Sequence, residues 1–203
     1  MRKIDFKKEL RHLYGASRKE AVIVDVPEMK FLMVDGEGDP NTSQEFKDAI
    51  EALYGVSYTL KFMIKQGKTE VDYVVPPLEC LWWADDWAVF SKGEKDRYKW
   101  TVMIMQPVYV TENLYEKAVQ QVEKKKNPPA LSRIRLESYH EGLSAQVMHI
   151  GPYSEEGPTI EKLHSSIKEQ GYSMREKHHE IYLSDPRRSA PEKLKTIIRQ
   201  PIK

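Results

Sequence analysis

Two residues on one short strand are the most chemically suggestive feature of the sequence. In the segment His179–Ser184 the apolar Ile181 and Leu183 alternate with Glu180 and Tyr182. Side chains two apart on a strand share a face, so a carboxylate and a phenol point the same way while the apolar pair packs inward. The same parity in Glu79–Trp83 sends Glu79, Leu81 and Trp83 to the open side and assigns Cys80 and Trp82 to the core. Aromatic residues are plentiful nearby: Trp83 and Trp87 in one stretch, Tyr153 after Gly151, and Tyr182 itself. A carboxylate walled by rings loses hydration, so its pKa is expected to rise. It then serves either as a proton acceptor near neutrality or as the counter-charge of a lipophilic cation.

Other chemistries lack their signatures. His178 and His179 are adjacent and face opposite sides of a strand, and His12, His140, His149 and His164 have no ligand spacing, so no metal is expected. There is no nucleophile elbow. The glycines at 36 and 38 come with neither the lysine of a phosphate loop nor a dinucleotide fingerprint, so no cofactor is expected. The single cysteine, Cys80, forms no intramolecular disulfide and points to a reducing compartment, hence a cytoplasmic location.

The elements that must position these residues follow from periodicity. Asp5 opens a short amphipathic helix to Tyr14, and strands are predicted over 22–26 and 29–36. After Thr42 or Ser43 as cap, Phe46, Ile50, Leu53, Tyr54, Ser57, Leu60 and Ile64 trace a core-facing helical stripe over 44–65. Strands follow at 71–75, 79–83 and 98–106, and a helix begins at Thr111 and runs into the charged stretch 123–126. The remainder reads as strands at 134–139 and 145–150, a helix over 154–170, then strands at 179–184 and 194–200. The class is α+β.

The chain also repeats itself. Met33–Gly36 resembles Met148–Gly151, Glu79–Trp82 aligns with Glu180–Leu183, and Thr101–Pro107 aligns with Lys195–Pro201. Each copy is strand, helix, strand, strand. A duplicated module with pseudo-two-fold symmetry is expected, its helices on one side and a central ligand cleft on the other, with Glu79 and Glu180 in equivalent places. The first module spans 29–107 and the second 133–203. A short N-terminal extension (1–28) precedes them, and a bridging helix and linker (108–132) joins them, all within one domain.

With 32 basic and 31 acidic residues in 203, the formal charge is +1, so no field exists to hold a polyanion and direct nucleic-acid binding is not expected. No apolar run approaches the length of a membrane span, and the opening residues lack the hydrophobic stretch of a signal peptide.

These segments together resemble the GyrI-like small-molecule-binding family over essentially the whole chain. The resemblance rests on residues 5–14, residues 24–41, the His149–Tyr153 segment and, above all, His179–Pro186. It implies a duplicated module around a cleft that takes planar aromatic or lipophilic small molecules. In multidrug-sensing activators such a module follows a helix-turn-helix, and residues 1–28 are too short to supply one. Some stand-alone relatives hydrolyse the strained cyclopropane of planar DNA-alkylating compounds. By that resemblance Glu180, Tyr182 and Tyr153 are candidate catalytic residues and Trp83 and Trp87 candidate ligand contacts, to which the strand parity adds Glu79. Two non-catalytic roles stay open: an effector-binding sensor or sequestering protein, and a gyrase-inhibitor-like partner of another protein.

Overall fold

The computed structural model describes residues 2–67, 71–86 and 88–203. In chain order the elements are β1 (Arg2–Ile4), α1 (Phe6–Glu9), α2 (Arg11–Tyr14), β2 (Val22–Val26), β3 (Met29–Glu37), α3 (Gln44–Gln66), β4 (Val71–Tyr73) and β5 (Leu78–Trp83). There follow α4 (Ala88–Lys92), β6 (Lys99–Gln106), α5 (Glu112–Lys125), β7 (Arg135–Tyr139), β8 (Gly142–Ile150), α6 (Gly157–Glu169), β9 (His178–Tyr182) and β10 (Lys195–Pro201).

Local chemistry starts these helices. The Asp5 carboxylate accepts from the Lys7 amide, Ser43 Oγ from the Phe46 amide and Thr111 Oγ1 from the Leu114 amide, each satisfying an orphan donor of a first turn. The apolar stripe of α3 is buried through Ala49, Leu53, Val56, Leu60 and Ile64, while Phe46, Ile50 and Tyr54, expected on it, are half-buried. Each large side chain on it contributes about 1.5–3 kcal/mol of burial. α5 packs along α3, with Val122 against Gly55. The N-terminal helix expected over 5–14 is instead two turns broken at Leu10. The break lets Phe6 meet Tyr73 edge-on while Leu13 and Tyr14 reach Ile181 and Ile197.

Eight strands form one antiparallel sheet in the order β2-β8-β10-β9-β5-β6-β3-β7. β1 and β4 make a separate parallel pair. The sheet order reads alike from either edge: β3, α3, β5 and β6 supply one half, β8, α6, β9 and β10 the other, and β5 pairs with β9 at the seam. The leading strands cross over, β2 onto β8 and β7 onto β3, so each half is completed by a strand that precedes the other. At Gly36 the sheet passes so close to Trp100 that an added Cβ would lie 2.1 Å from the indole ring. Only glycine fits there.

α3 and α6 pack on one face of the sheet, through Leu53 and Leu60 in one half and Leu163 and Ile167 in the other. The opposite face is covered by residues 6–16, which pack on Val26, Ile181 and Ile197 and on Phe31, Leu81 and Met103. This reverses the expected placement of the cleft. The face away from the helices is buried, and the opening lies on the helix face, where α3 and α6 leave the β9–β5 seam uncovered.

Candidate active site

Cross-strand register decides which residues share the opening. Glu180 lies opposite Cys80, Tyr182 opposite Leu78, and His178 opposite Trp82, so these six side chains stand on the helix face. Glu79, Leu81, His179 and Ile181 stand on the other. The opening is a cleft of about 1700 Å³, larger than the usual small-molecule site, with room for a multi-ring guest and water.

Its floor is a hydrogen-bonded chain. Trp82 Nε1 donates to Tyr182 Oη at 3.2 Å, Tyr182 Oη donates to Glu180 Oε2 at 2.7 Å, and His178 Nε2 lies 3.2 Å from Glu180 Oε1. Burial by itself would raise the Glu180 carboxyl. The hydrogen bond and charge of His178, with the hydrogen bonds of Tyr182 and Trp82, outweigh it and hold the carboxyl below its ordinary value. The expected upward shift at Glu180 is therefore corrected: hydrogen bonds to the charged form win over desolvation. Desolvation followed by the Glu180 charge pushes the Tyr182 and Cys80 hydroxyl and thiol well up, so both stay protonated.

The upward shift falls on a carboxyl the sequence did not single out. Glu156 precedes α6, lines the same cleft and is raised to about 9, first by desolvation and then by the Glu180 charge, only partly offset by Thr196. Two carboxyls with pKa values pushed apart are the pattern of paired acid and base. His164, from α6, is lowered by burial and by the charge of His178.

Rings enclose this floor on both sides. Phe46 stacks on Trp82 at 5.9 Å, and Tyr98 meets Trp82 edge-on at 6.3 Å. On the other side Tyr153 stands edge-on over Tyr182 at 5.6 Å, and Tyr54 and Tyr58 stack on each other at 6.2 Å. Burial, with Glu156 and Glu180 nearby, lifts the Tyr153 phenol to about 12. Such a lining offers both faces and edges to a planar or cationic guest.

Of the residues singled out in the sequence, the fold brings Glu180, Tyr182 and Tyr153 together. It separates Glu79 from them. Ile104 and Ile198, two residues before Gln106 and Gln200, are equivalent in the two halves; Leu78 pairs with Ile104 and Glu180 with Ile198. Leu78, rather than Glu79, is thus the counterpart of Glu180, and a shift of one residue changes the face. Glu79 belongs to a buried network beneath α2: its Oε2 lies 3.0 Å from His179 Nε2, and Tyr14 Oη donates to its Oε1 at 2.9 Å. Trp83 also lies on that face, with Lys177 Nζ 3.3 Å from its ring centroid, while Trp82, assigned to the core, lines the cleft. Trp87 lies outside the described residues. The strand parity that selected Glu180 also selects His178, two residues before it; Glu156 follows no strand rule and is visible only in three dimensions.

Among the described residues, no group of three or more histidine, cysteine or acidic side chains is placed to hold a metal ion, and no helix is long and apolar enough to cross a membrane. A conserved protein of Listeria innocua is 43% identical, with 98% of this chain and 100% of that one covered and a TM-score of 0.90. Two structures of a hydrolase from Listeria innocua, one of them encoded by lin2189, are each 42% identical. They cover 98% and 100% of this chain and all of their own, with TM-scores of 0.85 and 0.89. No curated protein matches significantly. The model of the GyrI-like small molecule binding domain matches residues 19–203, and the chain belongs to that family.

Proposed function

We propose that the cleft binds planar, electrophilic aromatic molecules carrying a strained cyclopropane and opens that ring by adding water. The observation that carries this reading is Glu180, held ionised at the floor of a ring-lined cleft by His178 and Tyr182. Tyr182 and His178 each occupy one oxygen of the carboxylate, which leaves lone pairs free to accept from a water molecule. The aromatic walls position the guest so that this water faces the less hindered cyclopropane carbon, and such alignment supplies much of the catalysis. As the C–C bond breaks, its electron pair moves to the conjugated carbonyl oxygen, where the Tyr153 phenol is available as a hydrogen-bond donor. Release of ring strain lets a weakly basic carboxylate suffice as proton acceptor. The 42% identity to hydrolases over the full chain supports hydrolysis.

A second reading is a non-catalytic receptor for lipophilic cations, favoured by the ionised Glu180 among aromatic rings. Incubation with a cyclopropane-bearing alkylator, followed by mass spectrometry, separates the two. Hydrolysis predicts a product heavier by one water and a loss on the order of 100-fold in turnover for Glu180→Gln. Saturable binding without product, weakened for cations in Glu180→Gln, supports the receptor instead.

A further inference from the structure

The cleft holds a second carboxyl, beside Thr196, that does not cap the helix it opens. Gly151, at φ +145°, ends β8, and residues 153–155 make a tight turn that delivers Glu156 to the N-cap of α6. A side chain there ordinarily accepts from the amides of its own first turn. Glu156 makes no such capping bond. Its backbone carries the local structure, the amide donating to Tyr153 O at 3.2 Å and the carbonyl accepting from Ile160 at 2.9 Å. The side chain turns instead into the cleft, 6% exposed, and its Oε1 has no hydrogen-bond partner. A buried carboxyl oxygen without a partner costs about 1–3 kcal/mol, so its retention asks for a use.

We propose that Glu156 is the proton donor of this cleft, delivering its carboxyl proton to the carbonyl oxygen on which charge develops as water opens the ring. This rests on the hydrolytic reading and completes its balance. Water forms the new C–O bond and loses a proton to Glu180; the breaking C–C bond sends its electron pair to the carbonyl oxygen; Glu156 protonates that oxygen. The sum is addition of one water, and both carboxyls return to their starting state by exchange with solvent. The titratable groups that face Glu156 are Glu180 and Tyr182 from β9 and Tyr153 from the preceding turn. The two phenols remain neutral near pH 7, so burial first and then the Glu180 charge keep Glu156 protonated.

The test compares wild type, Glu156→Gln and Glu180→Gln with a cyclopropane-bearing planar alkylator, alongside infrared difference spectra of the ligand-free proteins. Glu156→Gln should lower kcat on the order of 100-fold with KM nearly unchanged. The wild-type kcat/KM should fall as pH rises through about 9, and the variant should lose that limb. At neutral pH the wild type should show a protonated-carboxyl stretch that Glu156→Gln lacks. Absence of that band in the wild type overturns the proposal whether or not Glu156→Gln folds. Wild-type kcat/KM with an intact alkaline limb in Glu156→Gln overturns it too, and leaves the hydrolytic reading standing. A wild type that binds the alkylator without product overturns both.

Discussion

Tyr182 and Glu180, two residues apart on β9, are joined on the cleft face by a hydrogen bond of 2.7 Å from phenol to carboxylate. The same phenol accepts from Trp82, so one side chain ties an aromatic wall to the charged floor. Glu180 is held down against its own burial by these partners and by His178.

Removing the phenol should therefore release the carboxyl upward. In Tyr182→Phe the acid limb of the kcat/KM profile is expected to move to higher pH and turnover to fall about 10-fold. Trp82 Nε1 loses its acceptor at the same time, with a stability loss of about 1–2 kcal/mol. His178→Phe should move the acid limb in the same direction, while His178→Gln, which keeps a donor, should move it less. An acid limb that stays in place in both Tyr182→Phe and His178→Phe would show that something else holds Glu180 ionised.

Glu79 should behave as a stability residue. It pairs with His179 and accepts from Tyr14 on the face beneath α2, both partners fully enclosed. Glu79→Ala leaves a buried cation short of one partner and a phenol with none, at an expected cost of about 3–5 kcal/mol. Chemical denaturation should show that loss, while affinity of the cleft for an unreactive planar ligand, followed by tryptophan quenching, changes less than about twofold. A large loss of affinity in a folded Glu79→Gln protein would contradict the two-face assignment.

The same network sets a pH window. His179 is raised to about 9: burial opposes its charge, but Glu141 and Glu79 outweigh burial. Glu141 is lowered to about 2: burial is again opposed, by His179 and Arg199. A group raised above its unfolded value near 6.5 contributes full stability below that pH and loses it as pH climbs through about 9. A carboxyl lowered from 4.5 contributes fully above that value and loses it as pH falls through about 2. Denaturant midpoints should therefore be highest between roughly pH 4.5 and 6.5 for these groups and decline on both sides. His179→Gln should reduce the alkaline decline, the remainder coming from Glu156, itself raised to about 9. An undiminished slope in the variant would take His179 out of the window.

Much of the architecture is legible in the residues alone, because it depends on nearest neighbours. The helix of α3 with a cap at Thr42 or Ser43, the helix start at Thr111, and the strand around Glu180 and Tyr182 all follow from local spacing and side-chain chemistry. So does the alternation that puts His178 and His179 on opposite faces. Three decisions belong to the tertiary structure. Residues 6–16 cover one face of the sheet, which moves the cleft to the other, and local periodicity cannot say which face a distant segment will bury. Strand pairing makes Leu78, one residue from Glu79, the counterpart of Glu180 and so sends Glu79 to the other face, and sequence similarity between two short strands is too weak to resolve a single step. Finally, which carboxyl ionises depends on what surrounds it: hydrogen bonds from its own strand neighbours His178 and Tyr182 and from Trp82 gather at Glu180, whereas Glu156 meets burial and the like charge of Glu180 from another element. Desolvation acts on both, and only their three-dimensional surroundings give the two acids opposite character.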